Sequence, residues 1–398
     1  MFPKSTLLLI AFYLLLVESN GSDDPDSTIH PDFEILINLP STEVKNQYQS
    51  NLCWCFSTVS LIESELIRKN VGVLDLSEMY IAHKVYGEKA KKYVRMHSYT
   101  KFSGGGQPHD VMNVIKKFGI VPESSFHVVE KGSLNFNHFK LDHKLKDYLD
   151  SKISGSLDGL DKEWYQKFQD TLNSNIGELP DSFMYKDKLY SPESFLIELN
   201  FNPDDYVLIS SFNHHPFYSR FILEVPDNWS LGLVYNVPVN ELLEITNHSL
   251  QKGYSIVWSA DISEKGFLKS EGVVIAPYEL YNQESVKKRN NVAQLPYDQF
   301  VKKYLDFSSP YKEIEVTQEL RQEAFDNHQT KDDHGMHIIG KAIDKNGKSY
   351  FYVKNSWGKK YYTKGYLFVS ESYFNFKTIS IMLHKDGIPL EIRKKLKL

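Results

Sequence analysis

The run Val44-Lys45-Asn46-Gln47, followed six residues past the glutamine by Cys53-Trp54, constrains this chain more than any other feature. After Cys53, residues Phe56, Val59, Leu66 and Ile67 recur near the helical period, which predicts a half-buried helix with Cys53 at its N-terminus. Unpaired N–H groups and the dipole at such an end favour an anion, so the thiol pKa is expected to fall from ~8.5 into roughly the 3.5–7.5 range. The Cys53 backbone N–H and the Gln47 side-chain amide could then both face an oxygen gaining charge on an attacked carbonyl, each contributing ~3 kcal/mol in comparable sites. Taken alone, the same pattern also fits a structural cysteine buried at a helix start.

A nucleophilic thiol needs a base, and the base needs an orienting partner. In Asp332-Asp333-His334-Gly335-Met336-His337-Ile338-Ile339-Gly340, His334 opens an apolar strand-like run, and a second strand at 350–354 leads into Asn355-Ser356-Trp357-Gly358. The turn Asp344-Lys345-Asn346-Gly347 makes a hairpin of the two. Such a hairpin returns Asn355 to His334, where it would hold the imidazole tautomer. Trp357 could cover that hydrogen bond and exclude water.

Read together as VKNQ, CWCFS, DHGM and KNSWG with a following KGYLFV, these blocks resemble the papain family of cysteine peptidases, in the family's order. Gly340, six residues past His334, also falls where papain-like enzymes place a glycine. The resemblance implies Cys53 as nucleophile, His334 as general acid and base, Asn355 as its orienter and Gln47 as oxyanion donor, with Trp54 and Trp357 in support. Gly104-Gly105-Gly106-Gln107-Pro108, ahead of a helix-like 111–118, resembles the family's substrate ledge, on which Gly105 and Gly106 would let an extended peptide approach the backbone. The implied fold is α+β: two papain-like lobes, one helical and one β-rich, with the active-site cleft between them.

Departures from the pattern choose the branch. Ser50 and Ser103 stand where secreted papain-like enzymes place a disulfide, and the chain's two cysteines, Cys53 and Cys55, diverge on a helix, so no internal disulfide is expected. After a leader ending near Gly21, only about thirty residues precede Cys53, too few for a long inhibitory propeptide, whereas an insertion lengthens the spacing to His334. Both traits, with CWCFS, DLSEMY, KYVRMH, FGIVPE, HHPFY, EVPDNW and YNVP, resemble the bleomycin hydrolase and aminopeptidase C branch. The expected organisation is a signal peptide at 1–21, a helical lobe with the nucleophile at 22–134, a mostly helical insertion at 135–252 and a β-rich lobe at 253–398. Helices are expected at 138–149, 162–172, 191–199 and 240–252, and strands at 254–260, which by resemblance lines a substrate pocket, and 378–383. In this branch a C-terminal arm enters the cleft and meets the substrate's amino terminus. Here only a short tail follows the last strand, so an endopeptidase or a dipeptide-releasing peptidase stands beside the aminopeptidase expectation. Relatives of the branch form ring-like hexamers, which makes a homo-oligomer an expectation by resemblance.

Composition adds bounds. With 41% hydrophobic and 24% charged residues the chain is an ordinary globular one, and a net charge of −5 gives no footing for nucleic acid. The basic clusters at 89–95 and 393–397 read as solvated helix faces, and 282–291 as a surface loop. Lys4, the apolar run 7–17 and the small residues Ser19, Gly21 and Ser22 form a secretory signal pattern, shorter than the ~20 residues of a membrane span, so export without lasting membrane insertion is expected. His214-His215-Pro216-Phe217 reads as a structural loop, its adjacent histidines facing different ways. Two other classes stay open: a silent binding protein of the same fold, and a zinc site from Cys53, Cys55, His334 and His337. The second is disfavoured, because neither pair faces one way on its element. The peptidase reading requires a peptide or protein substrate and no cofactor or metal.

Overall fold

The computed structural model describes residues 30–127, 137–154, 159–281, 286–306 and 311–398, so the signal sequence expected at 1–21 lies outside the described residues. After β1 (Phe33–Asn38) come α1 (Cys53–Arg68), α2 (Glu78–Arg95) and α3 (Pro108–Phe118). The helix predicted from the apolar spacing thus begins at Cys53. It is buried on every side from Trp54 to Leu66, and the serines, threonine and glutamates of that stretch must find partners inside the protein.

The stretch expected to be a mostly helical insertion holds α4 (Phe139–Ser154), α5 (Trp164–Ile176), α6 (Pro192–Glu198) and α7 (Val239–Gln251), close to the predicted helices. It also holds a small hairpin, β2 (Phe183–Tyr185) and β3 (Lys188–Tyr190), and the strands β4 (Tyr206–Ser210), β5 (Arg220–Ile222) and β6 (Leu233–Asn236). These last three join the main sheet. They are short and flanked by loops, so their sequence carries little periodicity; what holds them is pairing with a distant strand.

The remainder gives β7 (Ile256–Ala260), β8 (Phe267–Leu268), β9 (Val273–Val274), α8 (Tyr278–Tyr281), α9 (Val286–Ala293), α10 (Tyr297–Tyr304), α11 (Gln318–Asp326), β10 (His334–Asp344), β11 (Ser349–Lys354), β12 (Tyr366–Ser370), α12 (Glu371–Lys377), β13 (Thr378–His384) and α13 (Leu390–Leu396). Helix α9 replaces the surface loop expected over much of 282–291, while 282–285 lie outside the described residues. No described helix is long and apolar enough to cross a membrane.

The sheet runs β5-β6-β4-β13-β7-β10-β11-β12-β9-β8, with β1 also on β10. Strand β10 is the hub: its first half pairs with β7, its second half with β1, and its other edge with β11. Where it passes from one partner to the next, β1 comes so close that a Cβ on Gly340 would run into the Ile37 carbonyl oxygen. The predicted hairpin forms, with Gly347 at φ 76° and its N–H on the Asp344 carbonyl at 2.9 Å. One apolar core lies among the helices, and two more line the sheet.

Helix α1 lies across β10 through polar groups. Ser60 Oγ meets His337 Nδ1 at 2.9 Å and accepts from Lys354 Nζ at 2.8 Å. Lys45 Nζ reaches Glu63 at 3.1 Å, Glu78 at 2.7 Å and Asp75 at 2.6 Å, and these carboxylates hold its ammonium well above the usual lysine range despite burial. Gly340→Ala should push β1 off β10 and cost about 1–3 kcal/mol, read as a lower midpoint in urea unfolding; an unchanged midpoint would contradict this packing.

Candidate active site

Cys53 opens α1, whose N-cap residue Leu52 provides no side-chain cap; the Cys55 N–H turns back to the Leu52 carbonyl at 2.9 Å, and the Cys53 and Trp54 N–H groups face the sulfur and the cleft. Across the groove, His334 opens β10 and Asn355 follows β11. The antiparallel register pairs His337 with Lys354, which returns Asn355 to the start of β10. His334 Nε2 meets Asn355 Oδ1 at 2.8 Å, leaving Nδ1 as the other ring nitrogen. Trp357 stacks on the imidazole with ring centroids 4.7 Å apart. The expected cover over the histidine–asparagine bond is therefore in place.

Gln47 arrives by a separate route. Residues Lys45–Gln47 run beside Ser356–Gly358, with Gln47 N–H on the Ser356 carbonyl at 2.8 Å and Gly358 N–H on the Lys45 carbonyl at 3.0 Å. Ser356 Oγ donates to Gln47 Oε1 at 2.6 Å, which fixes the amide and leaves Nε2 for the cleft. Ser356 was legible only as part of a motif; its grip on Gln47 is visible only in three dimensions. Gly335 is likewise more than a spacer. A Cβ there would sit 3.0 Å from Ser57 Oγ and 3.2 Å from the Trp54 backbone nitrogen, so a side chain would press on the end of α1.

One cavity of about 250 Å³ is lined by Gln47, Cys53, Trp54, Gly105, Gly106 and His334. The structure thus brings together the expected groups, including the glycine ledge. Trp54 Nε1 donates to the Gly104 carbonyl at 2.9 Å, and a Cβ on Gly106 would strike the Trp54 indole. Lys89, expected on a solvated face, is instead buried and donates to the carbonyl oxygens of Ser103, at 2.6 Å, and Gly105. Burial pushes its ammonium down to about 8, and the ledge carbonyls help to satisfy it. Both cysteines are free, so this lysine, rather than a disulfide, ties the ledge to α2.

Comparison with known proteins agrees with this geometry. Residues 307–398 match the Peptidase C1-like family. Over 87% of the chain and 82% of the relative, the protein is 24% identical to aminopeptidase G of Lactobacillus delbrueckii subsp. lactis. Bleomycin hydrolase of Gallus gallus is 22% identical over 90% of the chain and 84% of its own length. The solved structure of PepW from Lactobacillus rhamnosis HN001 (DR20) superposes with a TM-score of 0.68 at 19% identity, covering 93% of this chain and 85% of that one. By these matches the chain is similar to the papain-like cysteine peptidases of the bleomycin hydrolase and aminopeptidase C branch.

The electrostatics of this peptidase differ from the sequence expectation. Burial pushes the Cys53 thiol up to about 12; N–H groups of Gly335 and Trp54 pull the other way, and the carboxylates of Asp332 and Asp227 push it further up. The helix-end donors act in the expected direction, but desolvation outweighs them. Burial also pushes His334 down to about 4, so thiol and imidazole rest neutral, and the desolvation that keeps the ring neutral also weakens it as a base.

The cavity is also lined by Lys101, Asp227, Asp332 and Asp333, which sequence reasoning did not single out as site residues. Asp332 Oδ2 accepts from Gln107 Nε2 at 2.5 Å, and burial, followed by the neighbouring Asp227, raises its carboxyl to about 7. Asp227 pairs with Lys101 at 2.7 Å and lies where a Cβ on Gly105 would be. Its loop is pinned by the buried Asn228, whose Nδ2 donates to the Leu223 and Gly232 carbonyls at 2.8 and 3.0 Å. Elsewhere, Cys55 Sγ points to the Glu78 carbonyl at 3.5 Å and His337 binds Ser60, so the fourfold zinc set weighed from sequence does not converge. His214 and His215 do not face apart as expected: their ring centroids are 4.6 Å apart.

Gln47→Ala should lower kcat about 10²–10³-fold by removing an oxyanion donor. Ser356→Ala, which only frees the amide, should give a smaller loss, in kcat rather than KM. Stopped assays on one fluorogenic amide would show both, and an unaltered kcat in Gln47→Ala would contradict the role expected for this residue.

Proposed function

We propose that this peptidase acts on substrates with a free amino terminus, cleaving near that terminus through a thioester on Cys53. The sulfur adds to the scissile carbonyl carbon as its proton passes to His334. The oxyanion so formed is held by the Cys53 N–H and Gln47 Nε2, and its collapse expels the amine, which takes the proton from His334. Water, deprotonated by the same imidazole, then adds to the thioester and releases the acid and the thiol. Asn355 keeps the ring oriented throughout.

The observation that carries the amino-terminal reading is the acidic lining of the cavity beside the nucleophile. Asp227 occupies the space over Gly105, so an extended chain laid along the ledge meets a carboxylate there. An α-ammonium suits that end; a further acyl-blocked residue does not. The same charge has a second consequence. Burial holds the Cys53 thiol up, Asp332 and Asp227 add to it, and a bound ammonium would offset the carboxylates' share, easing formation of the thiolate once the right substrate is in place. The relatives named aminopeptidase support the reading. The last helix, α13, instead packs on α7 through Lys395 and Glu241, 2.6 Å apart.

Export remains part of the proposal, supported by the apolar run 7–17 and the small residues after it.

Hydrolysis of an aminoacyl fluorogenic amide should exceed that of its N-acetylated form, and Asp227→Asn should remove at least about tenfold of that preference, or ~1.4 kcal/mol. Equal turnover of the two substrates by the native enzyme would favour the endopeptidase alternative. Asp332 is neutral below about 7 and anionic above it, so the preference for the free amine should grow as pH rises through about 7, until the substrate amine itself deprotonates. A preference independent of pH over that window would remove Asp332 from the account.

A further inference from the structure

The loop between β4 and β5 carries His214 and His215, and the loop after β5 carries Glu224. One ligand atom from each lies within 4.8 Å of the others. We infer that these three side chains form a binding site for a zinc-class divalent cation, with the remaining coordination position open to water.

Geometry supports more than proximity. Bonds of ~2.0–2.2 Å in a tetrahedral site place neighbouring ligand atoms roughly 3.3–3.5 Å apart. His214 Nε2 and Glu224 Oε2 stand 3.3 Å apart. An ion pair alone would account for that contact, but it gives no reason for a second imidazole to be turned toward the same point. His215 is held there by Phe221, whose ring stacks on it at 4.6 Å, while Phe325 stacks on His214 at 6.0 Å. The backbone is fixed as well: Asn236 Nδ2 donates to the His215 carbonyl at 2.9 Å.

Metal-binding histidines commonly have the other ring nitrogen held by a hydrogen bond, which sets the tautomer. Gln322, on α11, is placed to do this. Its Nε2 donates to Asp326 at 2.8 Å and its Oε1 accepts the Asn213 N–H at 2.7 Å, which fixes the amide's orientation. The amide faces His214 Nδ1 with both of its polar atoms, Nε2 at 3.0 Å and Oε1 at 3.2 Å. Gln322 can therefore serve either tautomer of His214; a cation at Nε2 would select the one with the proton on Nδ1, donated to Oε1. Two imidazoles and a carboxylate suit zinc, nickel or copper better than calcium or magnesium, which favour all-oxygen ligands. A cation here would tie the two loops to each other and, through Gln322, to α11.

The test is calorimetric titration of the full chain with zinc chloride. It should be run in a Cys53→Ala background, because a free thiol also binds zinc. One equivalent should bind, and cobalt(II) at the same stoichiometry should give the intense visible absorption of a tetrahedral site. Glu224→Gln, at a side chain 62% exposed, should leave the fold intact and weaken zinc by more than the ~10–100-fold typical of losing a group that merely orients a ligand. His215→Ala should do the same and abolish the zinc-dependent rise in thermal midpoint. Failure of the parent protein to take up zinc, or undiminished binding by Glu224→Gln, would overturn the inference.

Discussion

The contact on which the remaining architecture depends is α1 laid against β10. It brings Cys53 to His334, and it does so through buried polar groups rather than a greasy seam. Ser60 answers His337 and Lys354, while Glu63 accepts from Lys45 and from the Leu76 N–H at 2.9 Å. A buried polar group left without a partner costs about 1–3 kcal/mol, and an unpaired charge more. Sliding the helix by one turn, ~5.4 Å, would strand several such groups at once. The network thus acts as a register key, and Gly335 allows the helix end to settle directly on the strand.

On that frame the cleft has an unusual charge balance. The half-buried thiol and the buried imidazole both resist ionisation, and the acidic side chains beside the thiol oppose a resting thiolate. The arrangement makes sense when the missing positive charge arrives with the substrate. Binding and activation then share one cause, the ammonium at the end of the peptide, and specificity is expressed in the chemical step as well as in affinity. Lys101 pairs with Asp227 at the edge of this cleft.

Features written locally were legible in the sequence. The apolar period after Cys53, the Asp344–Gly347 turn and the NSW motif are short-range signals, and the helix start, the hairpin and the His334–Asn355 pairing follow from them. What was not legible depends on partners far away in the chain. Lys89 reads as one of several surface lysines until its carbonyl partners at Ser103 and Gly105 are seen. Asp227 sits in a loop with no periodicity, and only folding sets it over Gly105. Strand β4 pairs with the distant β13, β6 with β4 and β5 with β6, so these short strands carry no clear pattern of their own. The thiol pKa departs from the expectation for a related reason: a helix terminus can be read from spacing, whereas desolvation depends on everything packed around the sulfur.

The central claim is that Cys53 and His334 act as one unit across the groove. It is tested most directly by rapid-quench mass spectrometry of the enzyme during turnover of a slow aminoacyl ester. The account predicts a transient acyl mass on the peptide containing Cys53, released by hydroxylamine and absent in His334→Ala. Steady turnover with no acyl group on Cys53, or full activity in Cys53→Ala, would contradict it.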